Sequence, residues 1–472
     1  MKFTLKSAPS SGAAVAAPQT GRGGSSLVLG AALLGFFLIS MDALIVTVAL
    51  PSIAHGLGGG MSGLQWVVDG YTLIFAALML SAGALSDRVG ARQAYGGGLV
   101  LFGLASAACG FAPSLGVLVA ARLVQGGAAA LMMPASLALI RQGFPDQARR
   151  AWAIAVWTVG GAVAVAAGPV LGGALTASVG WRWIFFVNLP AGLLALALLA
   201  RVPVSPRLPA RLDLVGQVTA VVAMGALTYG VIEGGDQGFG RPIVVVSLLV
   251  AVVAAAAFLA AQAKGAHPML PLALFRSRVV AVSLVVGFML NAAYYGGVFV
   301  FSLYLQQERG QSALHAGVMF IPMTALVAVV NLASAKLAAR FGPRVPMAAG
   351  QLIGVSGLLA LLTVEPYTNV WVVATLMVPV GLGGALTMPA LTAMLLDTVP
   401  ADRAGTAGAV LNTGRQVGGA IAVAVFGALL TGANTFLAGM RWSVLLAAAG
   451  LVLTTLATLT LPRNRPHRAS RP

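Results

Sequence analysis

The sequence predicts an all-α membrane protein that crosses the bilayer fourteen times, as two six-helix bundles with two extra helices between them. Three observations carry this expectation: the length of the apolar runs, the sidedness of the basic residues, and an internal repeat. Hydrophobic residues make up 59% of the 472 and charged residues only 8%, with a mean hydropathy of +0.95. A soluble domain carries about 25% charge. About 20 continuous apolar residues span a bilayer as a helix, whereas a transmembrane barrel would show alternating segments of about ten.

On that ruler the spans fall at 27–50, 64–85, 94–111, 115–137, 152–174, 183–202, 212–233, 242–263, 278–303, 315–337, 345–364, 369–391, 405–430 and 440–461. An even count puts both termini on one side, and charge then sets which side. With the N-terminus in the cytoplasm, 22 of the 28 basic residues fall in inside segments and four (Arg182, Arg241, Arg309, Arg441) outside; Arg122 and Arg415 lie within spans. That bias is the positive-inside pattern of a cell-membrane protein, and a missed or invented helix would scramble it. It also explains a net charge of +17 without nucleic acid, because the basic residues sit in short loops rather than on one face.

The chain repeats itself. GGAAALMMPA to FPDQARR in 126–150 resembles GLGGALTMPA to VPADRAG in 381–405, with Pro134 matching Pro389 and Pro145 matching Pro400 at an offset of 255. GALSDRVGAR in 83–92 matches AKLAARFGPR in 335–344 at an offset of 252. Two similar halves in one orientation imply bundles related by an axis along the membrane normal, with a binding site between them. The expected organisation is a disordered cytoplasmic tail over 1–26, a first bundle over 27–204, and two inserted helices over 205–264. A second bundle over 265–461 and a basic tail over 462–472 complete it. The inserted pair has no counterpart in the repeat and is expected at the periphery.

Four residues carry charge well inside apolar spans, away from the span ends. Asp42 lies in span 1, Asp69 in span 2, Arg122 in span 4 and Arg415 in span 13. An ionised side chain near a bilayer centre costs about 2.5–3.5 kcal/mol on insertion scales, so such residues pair with one another or serve transport. At about 1.5 Å rise per residue, Asp42 sits roughly 12 Å, Asp69 roughly 8 Å and Arg122 roughly 10 Å below the outer ends of their spans. The three share one layer and are the expected proton-coupling residues. A nearby cation would favour the ionised carboxylates and burial would oppose it. Asn412 and Gln416 flank Arg415 within a turn; a polar cluster of this kind either ties helix to helix or touches cargo. Asn291 and Tyr294 with Tyr295 in span 9, Gln125 in span 4, and Tyr71 and Trp66 in span 2 are further candidates for a cavity wall. Trp66 also suits an interface anchor.

Several motifs then point to a family. Gly83-Ala-Leu-Ser-Asp87-Arg88-Val-Gly90-Ala-Arg92 resembles the cytoplasmic signature of the major facilitator superfamily. Arg122-Leu-Val-Gln125-Gly126-Gly127-Ala-Ala-Ala130 is similar to that family's fourth-span motif. Gly168-Pro169-Val-Leu-Gly172-Gly173 resembles its antiporter motif, although Ala164 replaces the usual upstream glycine. Met41-Asp42-Ala-Leu-Ile-Val-Thr-Val-Ala-Leu-Pro51, Gln65-Trp66-Val-Val-Asp69-Gly-Tyr71, Gly180-Trp181-Arg182-Trp183-Ile-Phe-Phe-Val-Asn188-Leu-Pro190 and Leu411-Asn412-Thr-Gly-Arg415-Gln416 resemble segments of the fourteen-span drug:proton antiporters of the quaternary-ammonium and methylenomycin type. The resemblance implies a major facilitator fold and a cytoplasmic latch made of Gly83, Asp87, Arg88, Gly90 and Arg92. In the second half Ala335 and Ala339 replace the first glycine and the aspartate, which puts the switch on the first loop.

The implied function is proton-driven export of small amphipathic or cationic compounds, drugs or antibiotics, by alternating access. An importer or facilitator of a small metabolite on the same fold is the alternative, and a non-transporting membrane sensor a remoter one. No catalytic constellation is visible. One cysteine, Cys109, and four scattered histidines give no metal site, and the glycines at Gly60 and Gly63 form no phosphate cradle. The expectation is no cofactor, a proton gradient as the driver, the bilayer and a small molecule as partners, and a monomer.

Overall fold

The computed structural model describes residues 22–207, 209, 212–265, 268–400 and 403–462. Within them the first bundle comprises α1 (Arg22–Leu57), α2 (Met61–Val89), α3 (Ala91–Gly110), α4 (Leu115–Gly143), α5 (Gln147–Ser178) and α6 (Trp183–Ala200). Then come α7 (Leu214–Gln237) and α8 (Pro242–Lys264). The second bundle comprises α9 (Arg278–Glu308), α10 (Ala313–Phe341), α11 (Arg344–Leu361), α12 (Val370–Thr398), α13 (Ala404–Gly432) and α14 (Phe436–Leu459). All but α3 are long and apolar enough to cross a membrane. The exception follows from composition: Gln93 and the run Gly96–Gly98 dilute the apolar content of its 20 residues.

Helix starts are set by side chains that accept orphan backbone N–H groups. Ser114 accepts from Val117 N, Asp146 from Arg149 N and Thr435 from Ala438 N. The expected tail over 1–26 lies outside the described residues as far as residue 21, and residues 22–26 are a correction to it. They are already helical, and the Ser25 hydroxyl donates to Gly143 O at 2.9 Å, tying the start of α1 to the end of α4. The basic tail lies outside the described residues beyond residue 462.

The repeat is visible in three dimensions. Pro134 lies inside α4 and Pro389 inside α12. Gly90 joins α2 to α3 at φ +97° and Gly342 joins α10 to α11 at φ +83°, a left-handed conformation that a Cβ would strain. Packing follows the same rule: α1 rests on α5 as α9 rests on α13, and α3 on α4 as α11 on α12. The copies differ at α10, which is broken into Ala313–Met319, Ile321–Ala325 and Val327–Phe341, with Pro322 at the first break.

The inserted pair is less peripheral than its lack of a repeat partner suggested. α8 packs against α7, but α7 packs against both α2 and α13, one helix from each bundle, alongside the seam where those two meet. Trp66 of α2 meets Tyr229 of α7 with ring centroids 6.3 Å apart, and Ser62 donates to Glu233 at 2.8 Å.

The two bundles meet at one end, the end distal to the chain termini. Gln65 of α2 donates to Val423 O at 3.1 Å and Ala424 O at 2.8 Å on α13. Ser302 and Gln306 of α9 donate to Thr47 O and Val48 O of α1 at 2.8 and 3.0 Å. On the opposite edge, α5 and α10 approach so closely that a Cβ on Gly173 would lie 2.4 Å from Ala313 O, and one on Gly317 2.3 Å from Pro169 O. Among the described residues, the hydrogen bonds that join a helix of one bundle to a helix of the other all lie in this distal half; nearer the termini, Ser81 of α2 donates to Met269 Sδ, in the segment before α9, at 3.4 Å. The direct helix-to-helix hydrogen bonds thus tie the bundles together distally.

Candidate functional site

Asp42 is fully buried on α1, and both of its carboxylate oxygens accept hydrogen bonds. The Arg122 guanidinium of α4 binds Oδ2 in a short charge-assisted contact. Gln125 Nε2, one turn further along α4, donates to Oδ1 at 3.0 Å, and Asn188 Nδ2 of α6 donates to the same oxygen at 2.8 Å. Arg122 is compensated in turn. Its Nε donates to Val67 O at 3.1 Å, it donates to Gln125 Oε1 at 2.9 Å, and its guanidinium lies 4.3 Å over the Tyr71 ring. Ser106 of α3 closes the network by accepting from Gln125 and Asn188 and donating to Phe185 O. Asp42 and Arg122 are 0% and 1% exposed, and theirs is the one ion pair among the described residues. Removing one partner of such a buried pair costs about 3–5 kcal/mol, because the other charge is stranded.

Asp69 is not part of this network. Both of its carboxylate oxygens are buried without a hydrogen-bond partner. Depth put it level with Arg122, but rotation turns it away. Gly70 is the residue of α2 that faces Arg122, with its would-be Cβ 3.8 Å from Arg122 Cβ. Asp69 lies about 100° round the helix, on the stripe Gln65–Asp69–Thr72–Ala76. Gln65 shows that this stripe faces α13 across the boundary between bundles.

The second bundle offers a different polar cluster. Arg415 of α13 donates to Asn291 Oδ1 on α9 and to Asn412 Oδ1, each at 3.2 Å. Gly287 gives the Arg415 stem room, since a Cβ there would lie 3.2 Å from its Cγ. No carboxylate of the described residues lies within ion-pair distance of Arg415. Asn291 Nδ2 is buried without a partner. Gln416 takes no part in these bonds. Tyr294 and Tyr295 stack edge to face at 5.5 Å beside the cluster.

The remaining candidates sort by what they touch. Tyr71 is buried, with its hydroxyl on Ile39 O at 3.1 Å and its ring under Arg122, so it supports the ion pair and does not line open space. Trp66 packs on Tyr229 of the inserted helix, which removes it from the cavity wall. In the loop expected to act as a latch, Asp87 and Arg88 are exposed, and Asp87 pairs with no arginine among the described residues. Arg92 donates to Leu199 O at 3.3 Å and Ala200 O at 3.2 Å within its own bundle. In the Gly-Pro motif, Gly168 and Gly172 seat α5 on Met41, Leu44 and Ile45 of α1, while Gly173 meets the second bundle. Asn188 and Ser106 were not assigned from sequence. Asn188 carried a signal as an amide inside an apolar run; Ser106 carried none.

Comparison with known proteins decides the family. Residues 32–423 match the model of the Major Facilitator Superfamily. The chain belongs to that superfamily, within its drug-efflux branch. It is 36% identical to the methylenomycin A resistance protein of Bacillus subtilis over 433 residues, covering 90% of this chain and 91% of that one. It is 40% identical to the multidrug resistance protein Stp of Mycobacterium tuberculosis over 399 residues, 84% of this chain and 74% of that one. Two solved structures share the fold at 17% identity. They are a peptide transporter POT in complex with sulfate, at TM-score 0.69 over 94% of this chain and 96% of that one, and a bacterial homologue of Spinster in an inward-facing conformation, at 0.65 over 93% and 98%. The chain is thus a multi-pass membrane protein of the transporter type.

Proposed function

We propose that this protein is a proton-coupled antiporter that exports small amphipathic or cationic compounds, antibiotics among them, with both termini in the cytoplasm. It acts as a monomer and a transporter, not an enzyme, and takes its energy from the proton gradient without a cofactor. One observation supports the coupling above all: two buried acids in one bundle with opposite surroundings. Asp42 accepts three hydrogen bonds, from Arg122, Gln125 and Asn188. Asp69 has no donor among the described residues.

In this reading the distally closed form is the inward-open state, and Asp69 carries the proton it has brought from outside. The neutral acid is compatible with the dry seam between α2 and α13. Loss of that proton to the cytoplasm leaves an uncompensated charge in the seam, which costs several kcal/mol until water or a cation reaches it. A bound cationic cargo supplies that charge, and the weakened seam lets the distal end part. Outside, protonation expels the cargo and restores the seam. Asp42 and Arg122 hold α1 to α4 so that the first bundle rocks as a unit, and a second proton can enter only by displacing Arg122.

Inverted vesicles with an imposed pH gradient test this. Proton-driven accumulation of a lipophilic cation inside them is expected, together with cargo-induced proton release. If Asp42→Asn and Asp69→Asn both leave exchange at the wild-type rate, the assignment of the proton sites is wrong. If the gradient drives cargo the other way, the protein is an importer.

A further inference from the structure

The two inserted helices enclose a space that the transport cycle above does not use. Between α7, α8 and the facing sides of α2, α9 and α13 lies a cavity of about 550 Å³. Ala76 and Leu80 of α2, Met224 of α7, Phe258 of α8, Phe288 of α9 and Val417 of α13 form its wall. Each lies in the half of the bilayer nearest the chain termini. Its mouth opens sideways on α9, where Val285 is 50% exposed on the outer face of the bundle, with Phe275 of the preceding segment, 40% exposed, at its terminus-side rim.

The cavity is a built feature. Its floor is the segment between α8 and α9, which contributes Met269, Leu270 and Phe275. A polar clasp holds that floor in place. Asp213, at the cap of α7, accepts from Gly216 N at 2.8 Å, Gln262 Nε2 at 2.7 Å and Met269 N at 3.4 Å. Gln262 Oε1 accepts from Leu270 N at 2.8 Å. Gln217 of α7 donates to Ala77 O at 2.9 Å, which fixes the inserted pair to the first bundle at the cavity's edge. Without the α7–α8 hairpin there would be no cavity, only lipid against α2 and α13.

We infer that this chamber binds the uncharged, ring-bearing part of the transported compound, taken up from the leaflet nearest the termini. The inference rests on the export reading, and three features select the occupant. The lining is apolar, which excludes ions and water-soluble cargo. The volume falls in the range of small-molecule pockets, about 300–1,000 Å³. One polar group breaks the apolar wall: Thr413 Oγ1 of α13 is buried without a hydrogen-bond partner. A buried hydroxyl calls for a partner, which a carbonyl or ether on a drug-like ring provides and a lipid acyl chain does not. The walls come from both bundles, so rocking must change the chamber's volume.

Nile red, an uncharged lipophilic dye with hydrogen-bond-accepting oxygens, is the probe. The full chain in phosphatidylcholine nanodiscs should bind it saturably above the lipid background. Two chamber-filling variants, Ala223→Trp and Leu80→Trp, should each weaken binding at least tenfold, and Thr413→Val about threefold. In a Phe258→Trp chain, brominated phosphatidylcholine should quench the added tryptophan less than a lipid-facing one, and the dye should quench it further. Full lipid quenching with no saturable dye binding would show an acyl chain in the chamber and overturn the proposal. So would neither signal, which would mean the space closes in a bilayer. Binding is read without a proton gradient, so failure of the export reading does not mask the result. A filled-chamber variant that exports Nile red at the wild-type rate refutes the chamber alone.

Discussion

Gly173→Ala should open the distal end of the molecule. A methyl group at that position would stand 2.4 Å from Ala313 O, on backbone that belongs to the other bundle. Ordinary contact begins near 3.4 Å, so α5 and α10 must separate by about 1 Å, and helix backbone cannot yield locally. Overpacking of this kind costs about 1–3 kcal/mol. The cost falls only on the closed form, which corresponds to a shift of about 5- to 150-fold toward the distally open one. Gly172→Ala is the matched control. Its methyl would meet Ile45 O at the same 2.4 Å, but Ile45 lies in α1 of the same bundle, so that strain is present in both forms. Gly172→Ala should lower the melting temperature and leave the equilibrium unchanged. Spin labels at Val179 and Tyr367, both exposed on distal segments, report the distal gap; labels at Gln142 and Phe341 report the other end. The native Cys109 is buried and stays silent. A Gly173→Ala protein that is folded and monodisperse yet shows the wild-type distal distance would refute the account of the Gly-Pro motif as a seal.

Asp69→Asn should leave thermal stability within about 0.5 kcal/mol, because the carboxylate has no partner to lose, while pH-dependent transport collapses; a large stability loss would show a hidden partner. Asp42→Asn strands Arg122 and should destabilise by about 3–5 kcal/mol, read by thermal denaturation in detergent. Arg122→Ala should shift the pH optimum of transport, and an unchanged pH profile would remove Arg122 from the coupling. Asp213→Ala removes the cap of α7 together with the clasp on Met269, at about 1 kcal/mol for the cap, and should speed proteolysis between α8 and α9. Burial opposes the Asp213 charge, but hydrogen bonds from Gln262, Gly216 N and Met269 N outweigh it and hold the carboxyl below the usual aspartate range. Its folded-state value is depressed, so the clasp's contribution is full above the ordinary aspartate range and is lost only as pH falls below it. Proteolysis of wild type should therefore be flat from pH 8 to pH 5.

The helices, their order and the repeat were legible because the bilayer imposes a length and the loops a charge. Pro134 and Pro389, and Gly90 and Gly342, occupy equivalent places in the fold, as their offsets implied. The ion pair was half legible. Depth counts along a helix found Asp42 and Arg122, but rotation about the helix axis separates residues at the same depth, and Asp69 fell on the other side of that limit. Asn188 and Ser106 complete the network from α6 and α3, where nothing local distinguishes a network amide or hydroxyl from a helix–helix contact. The place of α7 was illegible for a related reason. A span with no repeat partner reads as an appendage, yet α7 packs on α2 through Trp66–Tyr229 and Ser62–Glu233 and on α13 so closely that a Cβ on Gly235 would lie 2.4 Å from Ala428 Cβ.

Arg415 has an electrical consequence. It is a guanidinium inside a membrane span whose hydrogen-bond acceptors, Asn291 and Asn412, are neutral. Asp42 and Arg122 cancel, and Asp69 is silent while protonated, so Arg415 stands as a fixed positive charge in the transmembrane field. A full crossing of that field is worth about 2.3 kcal/mol per charge at 100 mV. If rocking carries α13 through a tenth of it, the interior-negative potential of a living cell biases the conformers by about 0.2 kcal/mol. The resting voltage then favours whichever form draws Arg415 toward the cytoplasm, and a pump studied in vesicles without a potential samples a different balance of states from the same pump in a cell.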